Sequence, residues 1–207
     1  MFSPDELHYE QCLAAIEAGK HVICTKPMAT DNAGAARIVE AVRRTGKKLM
    51  VAQTARFIPQ FEHMKNMVEA GRVGQLLACR AQYIHDLSPY LAPGTWRLTM
   101  PQDFMYGGCC HPVDSLVWFF GEAEEVQAYG MKSGVNPTYP LEDTYLLNIK
   151  FASGKLARVM GAYGLIEPPM PMMGLNIYGT KGSAVADFHD FKATQTRVTF
   201  DKIDTRP

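Results

Sequence analysis

The stretch 21–30, HVICTKPMAT, constrains the fold more than any other part of the chain. Residues 21–24 read as a short apolar strand that ends at Lys26-Pro27, and a helix pattern begins a few residues later. In an open parallel sheet, ligands bind beyond the carboxyl ends of the strands. Lys26 is therefore the first candidate for chemistry, and the common alternative is a solvated loop lysine without a functional role.

Helices and strands alternate through the first part of the chain. A helix is predicted over residues 4–18, with Ser3 as its cap. The second helix follows Asp31, ends at Gly46 and carries apolar residues at helical spacing, namely Ala35, Ile38, Val39 and Val42. Residues 49–52 form a second short strand. This alternation is typical of parallel α/β winding with a right-handed crossover.

Longer strands follow a boundary that we place near Gly74. A third helix, over residues 59–70, precedes it. Beyond it, one clear helix is predicted over residues 112–120, and the strand candidates are 76–85, 125–131, 144–151, 155–161 and 174–178. We therefore predict an α/β chain: residues 1–74 hold a partial parallel sheet, and residues 75–207 form an α+β domain with a large, mostly antiparallel open sheet.

Composition excludes several classes of partner. The 207 residues contain 21 lysines plus arginines and 21 aspartates plus glutamates without a basic run, which argues against a nucleic-acid partner. No apolar run approaches the about 20 residues that cross a bilayer, so we expect no membrane contact and a cytoplasmic chain. The five cysteines suggest reduced thiols, and Cys109-Cys110-His111 lacks the ligand spacing of a structural zinc site, so no metal is expected.

A glycine-rich phosphate-binding turn is absent from the sequence. Nucleotide domains of the doubly wound class hold the pyrophosphate at a Gly-x-Gly-x-x-Gly turn between a strand and a helix. Here Gly71 and Gly74 close a helix, and residues 179–182 lie between strands. Two parallel strands alone also make a weak sheet. We expect either that the natural protein extends before Met1 or that this segment packs on something else.

Several short motifs occur in a particular order along the chain. They are residues 17–22 running into Lys26-Pro27, then Arg56-Phe57, Trp96-Arg97, Gly107-Gly108, His111 and Asp114, and finally YGTKG at 178–182. This order resembles the Gfo/Idh/MocA family of NAD(P)-dependent oxidoreductases. Residues 17–22 with Lys26-Pro27 are the most specific match and are similar to the family's AGKHV…EKP signature, and YGTKG resembles its late hairpin. The resemblance implies a partial Rossmann-type segment followed by an open-sheet domain, with NAD or NADP as cofactor and a sugar, polyol or related small molecule as substrate.

The resemblance also implies roles for individual residues. Lys26 would lie beside nicotinamide and substrate and polarise the reacting oxygen, and His111 would transfer the proton. Lys26, Pro27 and Arg56 would contact the cofactor. Arg56, Arg97 and Asp114 would contact the substrate. From the residues alone, His111 precedes Pro112 at a helix start, where the helix dipole favours a neutral ring; a helix-capping histidine is the alternative.

Two positions depart from the family pattern. Thr25 stands where the motif has glutamate, and Gly107 stands where an aspartate commonly precedes the histidine by four residues. For Arg56 and Arg97, unpaired surface arginines are the alternative. Trp96 and Tyr163 are weaker candidates for the pocket wall. Cys109 and Cys110 lie near a helix start, where a thiol pKa can be lowered, although inert buried thiols are the simpler interpretation.

Two functions of different classes follow from these observations. The first is an oxidoreductase that moves a hydride between NAD(P) and a carbohydrate-like hydroxyl or carbonyl compound. The alternative is a truncated, noncatalytic sheet domain that acts in homo-oligomer assembly through its open sheet. Because the glycine-rich turn is absent, we expect the 207-residue chain by itself to bind NAD(P) weakly or not at all.

Overall fold

The computed structural model describes residues 1–188 and the strand Val198–Asp201. Within this part the strands form two sheets, a parallel pair and a seven-stranded sheet. The stretches 189–197 and 202–207 of the predicted second unit lie outside the described residues. No helix in the described part is long and apolar enough to cross a membrane.

The small sheet consists of β1 (Val22–Thr25) and β2 (Leu49–Ala52), which run parallel as predicted. Helix α1 (His8–Glu17) packs against α2 (Asn32–Thr45). The Asp31 side chain caps α2 as expected, accepting a hydrogen bond from the Gly34 N–H at 2.8 Å. A separate small core results, built from Cys12, Ile16, Val22, Cys24, Ala29, Ile38 and Ala41.

The predicted first helix is wrong at its beginning. A turn of 3-10 helix, Asp5–Leu7, precedes α1, and Ser3 caps neither element. Its hydroxyl instead donates to Gln11 Oε1 at 2.8 Å. The backbone carbonyl of Ser3 lies 3.0 Å from Nε2 of the fully buried His8 ring, so a tertiary contact competes with the local capping geometry.

The large sheet has the strand order β4-β5-β6-β3-β7-β8-β9. Its members are β3 (Leu76–Ile84), β4 (Ala123–Met131), β5 (Thr144–Phe151), β6 (Leu156–Ala162), β7 (Met173–Gly179), β8 (Ser183–Phe188) and β9 (Val198–Asp201). Only β3 and β6 pair in parallel, so the mostly antiparallel open sheet is confirmed. The predicted strand 144–151 coincides with β5, and the other four predicted strands differ from β3, β4, β6 and β7 by one or two residues at an end, as end effects commonly produce. Strands β8 and β9 are not among those predicted.

Helices α3 (Pro59–Glu69) and α6 (Cys110–Phe120) pack on the large sheet. Phe61 and Met64 of α3 are buried in its core, so this helix, which precedes the boundary predicted at Gly74, packs on the second unit. The helix predicted over 112–120 begins two residues earlier, because Pro112 fits within a first turn whose N–H groups need no helical partner.

Two further one-turn helices were not predicted. They are α4 (Trp96–Thr99) and α5 (Phe104–Gly107), and both lie in the long connection between β3 and β4. A single turn has too few residues to show a 3.6-residue hydrophobic period, which explains why pattern analysis missed them. Helix α4 carries Arg97, and α5 ends at Gly107.

The turn after β7 connects the late hairpin to the boundary segment. The backbone N–H groups of Thr180 and Lys181 donate to the carbonyl oxygens of Gln75 and Val73 at 2.9 and 3.0 Å. A Cβ atom at Gly179 would lie 2.2 Å from the Val73 carbonyl oxygen, well inside the van der Waals contact distance, whereas Gly182 has open space around it.

We predict that Gly179→Ala lowers the free energy of unfolding by roughly 2–3 kcal/mol, because the backbone must shift to admit the methyl group. Gly182→Ala, in the same turn, should change it by less than about 0.5 kcal/mol. Urea unfolding of both variants measures the difference. Equal stability of the two variants would contradict the close approach of this turn to Val73.

Candidate active site

Lys26 lies where the two units meet. It follows β1 directly, and its ammonium group donates a hydrogen bond to the Gly107 carbonyl oxygen at the end of α5. The adjoining turn is held by His8, whose Nδ1 lies 2.7 Å from the Pro27 carbonyl oxygen. The residue singled out from the sequence is therefore fixed between the small sheet and the second unit, and is not a free loop lysine.

His111 lies in the first turn of α6 with only 5% of its surface exposed. Its ring stacks on Tyr83 with 5.3 Å between centroids. Nδ1 is buried and has no hydrogen-bond partner within the described residues. Burial, followed by the positive charge of Lys26, lowers the pKa of His111 to about 4. The ring is therefore neutral near pH 7, as expected. The cause is burial together with the Lys26 charge, and not the helix dipole that the position in sequence suggested.

A cavity of about 330 Å³ brings the two candidate catalytic residues together. This volume lies within the roughly 300–1,000 Å³ of small-molecule sites. Lys26 and Thr54, which come after β1 and β2, contribute to its wall, so the cavity opens at the carboxyl edge of the small sheet. The remaining lining residues are Tyr83, His85, Leu87, Tyr90, Arg97, Gln102, His111 and Tyr163.

Arg97 joins Lys26 in this wall. Its guanidinium carbon lies 4.5 Å from the Trp96 ring centroid and 5.8 Å from that of Tyr90. Tyr163, a weak candidate from the sequence, is also in the wall, and burial raises the pKa of its hydroxyl well above the usual range. Tyr163 is therefore a hydrogen-bonding group that stays protonated. Trp96 supports Arg97 but is not among the lining residues.

Arg56 and Asp114 are placed differently from the sequence prediction. Arg56 Nε and a second guanidinium nitrogen each donate to the Asp114 carboxylate at 2.7 Å, and the Trp118 ring lies 5.7 Å away. Neither Arg56 nor Asp114 lines the cavity. The Asp114 carboxylate does not cap the helix, whereas the cofactor contact predicted for Arg56 and the substrate contacts predicted for both residues stay predictions. The pair instead ties α6 to the segment after β2.

Three further residues at the site carried no sequence signal. The Gln102 amide nitrogen donates to a carboxylate oxygen of Asp5 at 2.5 Å, and its amide oxygen lies 3.5 Å from the Tyr163 hydroxyl. The Tyr139 hydroxyl donates to the Gln102 carbonyl oxygen. These contacts join residues far apart in sequence, so neither periodicity nor spacing could reveal them.

Gln102 also explains why glycine occupies position 107. A Cβ atom at Gly107 would overlap the Gln102 side chain. An aspartate would therefore require the amide to leave its contacts with Asp5 and Tyr163. In this chain the backbone carbonyl of Gly107 accepts the Lys26 hydrogen bond.

The neighbouring thiols are not activated. Burial is the largest cause that raises the pKa of Cys109 to about 12 and that of Cys110 to about 11, so both stay protonated. The raised pKa values agree with the simpler interpretation of inert buried thiols and not with the alternative of a lowered thiol pKa. Among the described residues, no group of three or more His, Cys, Asp or Glu side chains is arranged to hold a metal ion.

Family comparisons match both units. Residues 1–53 match the model described as "Oxidoreductase family, NAD-binding Rossmann fold", and residues 61–185 match the GFO/IDH/MocA C-terminal domain. The second match covers more than half of the chain. The chain therefore belongs to the Gfo/Idh/MocA oxidoreductase family, as its motifs indicated.

Individual relatives agree with this assignment. The 1,5-anhydro-D-fructose reductase of Ensifer adhaerens is 31% identical over 187 residues, covering 87% of this chain and 54% of the relative. Levoglucosan dehydrogenase of Pseudarthrobacter phenanthrenivorans is 28% identical over 99% of this chain and 58% of its own length. The WlbA dehydrogenase from Bordetella pertussis, solved with NADH and UDP-GlcNAcA, superimposes with a TM-score of 0.83 at 25% identity, covering 100% of this chain and 59% of that one. The chain thus spans somewhat more than half the length of these relatives.

The depressed pKa of His111 predicts a pH-dependent stability. An unfolded chain protonates this histidine near pH 6.5, whereas the folded chain does so only near pH 4. The unfolded state therefore binds more protons between these values, and stability falls as the pH drops through that window, by about 3 kcal/mol at full effect.

Urea unfolding at pH 7.5 and pH 4.5 tests this prediction. His111→Gln should remove most of the pH-dependent loss, whereas His63→Gln, at an exposed position of α3, should retain it. The same loss in the parent chain and in the His111 variant would show that another group titrates in this window.

Proposed function

We propose that the protein is an oxidoreductase that transfers a hydride between a nicotinamide cofactor and a hydroxyl or carbonyl group of a carbohydrate-like compound. The observation that carries this proposal is that Lys26 and His111, which lie on different units, line one cavity at the carboxyl edge of the small sheet. The relatives whose names or ligands include sugars support it.

Lys26 and His111 have complementary properties for this reaction. An ammonium group beside the reacting carbon stabilises negative charge on the substrate oxygen, and the carbonyl of Gly107 occupies only one of its three donors. A neutral imidazole can accept the hydroxyl proton, and burial with the Lys26 charge keeps His111 in this form at neutral pH. In the oxidative direction, the hydroxyl proton would pass to His111, and the hydride would pass from the carbon that bears this hydroxyl to the oxidised nicotinamide.

The residues of this chain fit the nicotinamide end of a cofactor. Lys26, Pro27 and Thr54 follow the two parallel strands, at the sheet edge where dinucleotides bind in this fold class. A bound nicotinamide supplies the group that accepts or donates the hydride. The cofactor contact predicted for Arg56 would have to form beside its ion pair with Asp114.

The role of Lys26 is testable in the complete gene product. Lys26→Ala should lower kcat by roughly 100-fold or more, because the developing charge on the oxygen loses its nearest cation. Lys20→Ala, at an exposed position shortly before β1, is the matched control and should leave kcat unchanged. Turnover is followed by the absorbance of reduced nicotinamide with a panel of sugars and polyols. Equal rates for the two variants would rule out the proposed part of Lys26.

Self-assembly through the large sheet is a second candidate function. All nine residues of β4 are exposed, and within the described residues this strand pairs only with β5. Exposed apolar side chains continue across the sheet, with Tyr129 69% and Leu146 45% exposed. An uncovered edge strand with an apolar face favours association with another chain. A second copy of this chain would cover both, and the assembly and hydride-transfer roles are compatible.

Assembly predicts a specific mutational response. Tyr129→Lys should shift the chain toward monomer, because a charge would be buried between the two sheets. Ile166→Lys, at a loop residue that is 72% exposed, is the control. Sedimentation equilibrium across a range of concentrations distinguishes the species. A monomeric parent chain at all concentrations would exclude this second candidate.

A further inference from the structure

We propose that the cavity accepts a carbohydrate that carries a carboxylate group, such as an aldonic or uronic acid, and that Arg97 binds this carboxylate. This inference rests on the proposed function, since it names the substrate class of the same cavity. The known ligands of relatives differ in size and charge, so they do not select a substrate class for this chain.

The charge of the cavity wall carries the proposal. Two of the ten lining residues, Lys26 and Arg97, are cations, and none is aspartate or glutamate. His111 is neutral near pH 7 because its pKa is about 4, and the Tyr83 and Tyr163 hydroxyls stay protonated because burial raises their pKa. At neutral pH the wall therefore carries the positive charges of Lys26 and Arg97, and none of its lining residues carries a negative charge.

Arg97 lacks an acidic partner. Among the described residues, no carboxylate oxygen lies within 4.0 Å of its guanidinium group, whereas the guanidinium of Arg56 binds Asp114 and that of Arg44 binds Glu17. It is positioned by the Trp96 ring at 4.5 Å and the Tyr90 ring at 5.8 Å. An aromatic face orients a guanidinium group without using its N–H donors. Arg97 is thus oriented beside the cavity with donors that can bind a planar anion.

Lys26 also has no ion-pair partner among the described residues, since no carboxylate oxygen lies within 4.0 Å of its ammonium group. Its hydrogen-bond acceptor is the uncharged Gly107 carbonyl oxygen, and the preceding residue, Thr25, is also uncharged. Both cations change the pKa of buried groups in the cavity. The Lys26 charge adds to burial in lowering the pKa of His111. The Arg97 charge partly offsets the burial that raises the pKa of Tyr83 and Tyr163. A neutral ligand would displace water and leave the Arg97 charge uncompensated, whereas a carboxylate beside Arg97 would compensate it.

The rest of the wall suits the remainder of a sugar acid. Thr54, Gln102 and Tyr163 offer polar groups for hydroxyls, and Tyr83 and Leu87 offer apolar surface. One guanidinium edge matches the two oxygens of a carboxylate. A phosphate presents three oxygens and about two charges, and it is usually held by several donors, so the single oriented guanidinium favours the carboxylate.

A matched pair of ligands tests the proposal in the complete gene product. D-glucuronate and D-glucuronamide share their shape and hydroxyl groups but differ in charge. Titration calorimetry in the presence of NADH should give at least about tenfold tighter binding of glucuronate, and the preference should shrink as the salt concentration rises. D-glucose 6-phosphate serves as the phosphate probe and should bind more weakly than glucuronate.

Variants assign the preference to Arg97. Arg97→Gln should remove the preference for glucuronate over glucuronamide, and Arg97→Lys should retain part of it. Arg80→Gln, at an exposed position of β3 outside the cavity, should leave it unchanged. Thermal unfolding of each variant confirms that it is folded, and the Arg97→Lys variant keeps the test decisive if Arg97→Gln does not fold.

Several outcomes overturn the proposal. These are equal binding of glucuronate and glucuronamide, tighter binding of glucose 6-phosphate, no detectable binding of glucuronate at millimolar concentration, or an unchanged preference in folded Arg97 variants. Hydride transfer is measured separately with neutral and acidic sugars. Turnover of neutral sugars without any preference for acids would sustain the proposed function and overturn this inference. Arg97-dependent binding of the acid without hydride transfer to or from any ligand would sustain this inference and overturn the proposed function.

Discussion

The hydrogen bond from the Lys26 ammonium to the Gly107 carbonyl oxygen joins the two units at the cavity. Its donor follows a strand of the small sheet, and its acceptor ends the short helix that precedes α6. On the Lys26 side, the His8 ring contacts the Pro27 carbonyl oxygen. On the α6 side, the ion pair between Arg56 and Asp114 joins this helix to the segment after β2. The position of His111 relative to Lys26 depends on all three contacts.

These supports act on different parts of the same geometry. His8 is fully buried and contacts two backbone carbonyls, so it fixes the path of the chain around Lys26 without entering the cavity. The ion pair is partly exposed, with 38% of the Arg56 side chain accessible, and surface pairs contribute little to stability by themselves. The two parallel hydrogen bonds between Arg56 and Asp114 nevertheless give the pair a defined geometry, and this geometry helps to fix the orientation of α6.

Elements that depend on local pattern are predictable from the sequence. Hydrophobic periodicity and turn residues predict the strands around Lys26, the capped α2 and the antiparallel sheet. Motifs point to Lys26 and His111. The network of Asp5, Gln102 and Tyr139 could not be found this way, because it joins distant residues through side chains and a backbone carbonyl. Arg56 was selected because it follows a strand, but strand position alone does not show that Asp114 already binds its guanidinium.

The absence of acids beside Lys26 changes the electrostatics of the cavity. A carboxylate close to an ammonium group compensates its charge, whereas a backbone carbonyl accepts a hydrogen bond and carries no net charge. Gln102 occupies the space into which a side chain at position 107 would project, so this feature is built into the packing. Burial, followed by the Lys26 charge, favours neutral His111, and a neutral imidazole is the form that can accept a proton. The cavity wall thus combines a base with the positive charges of Lys26 and Arg97.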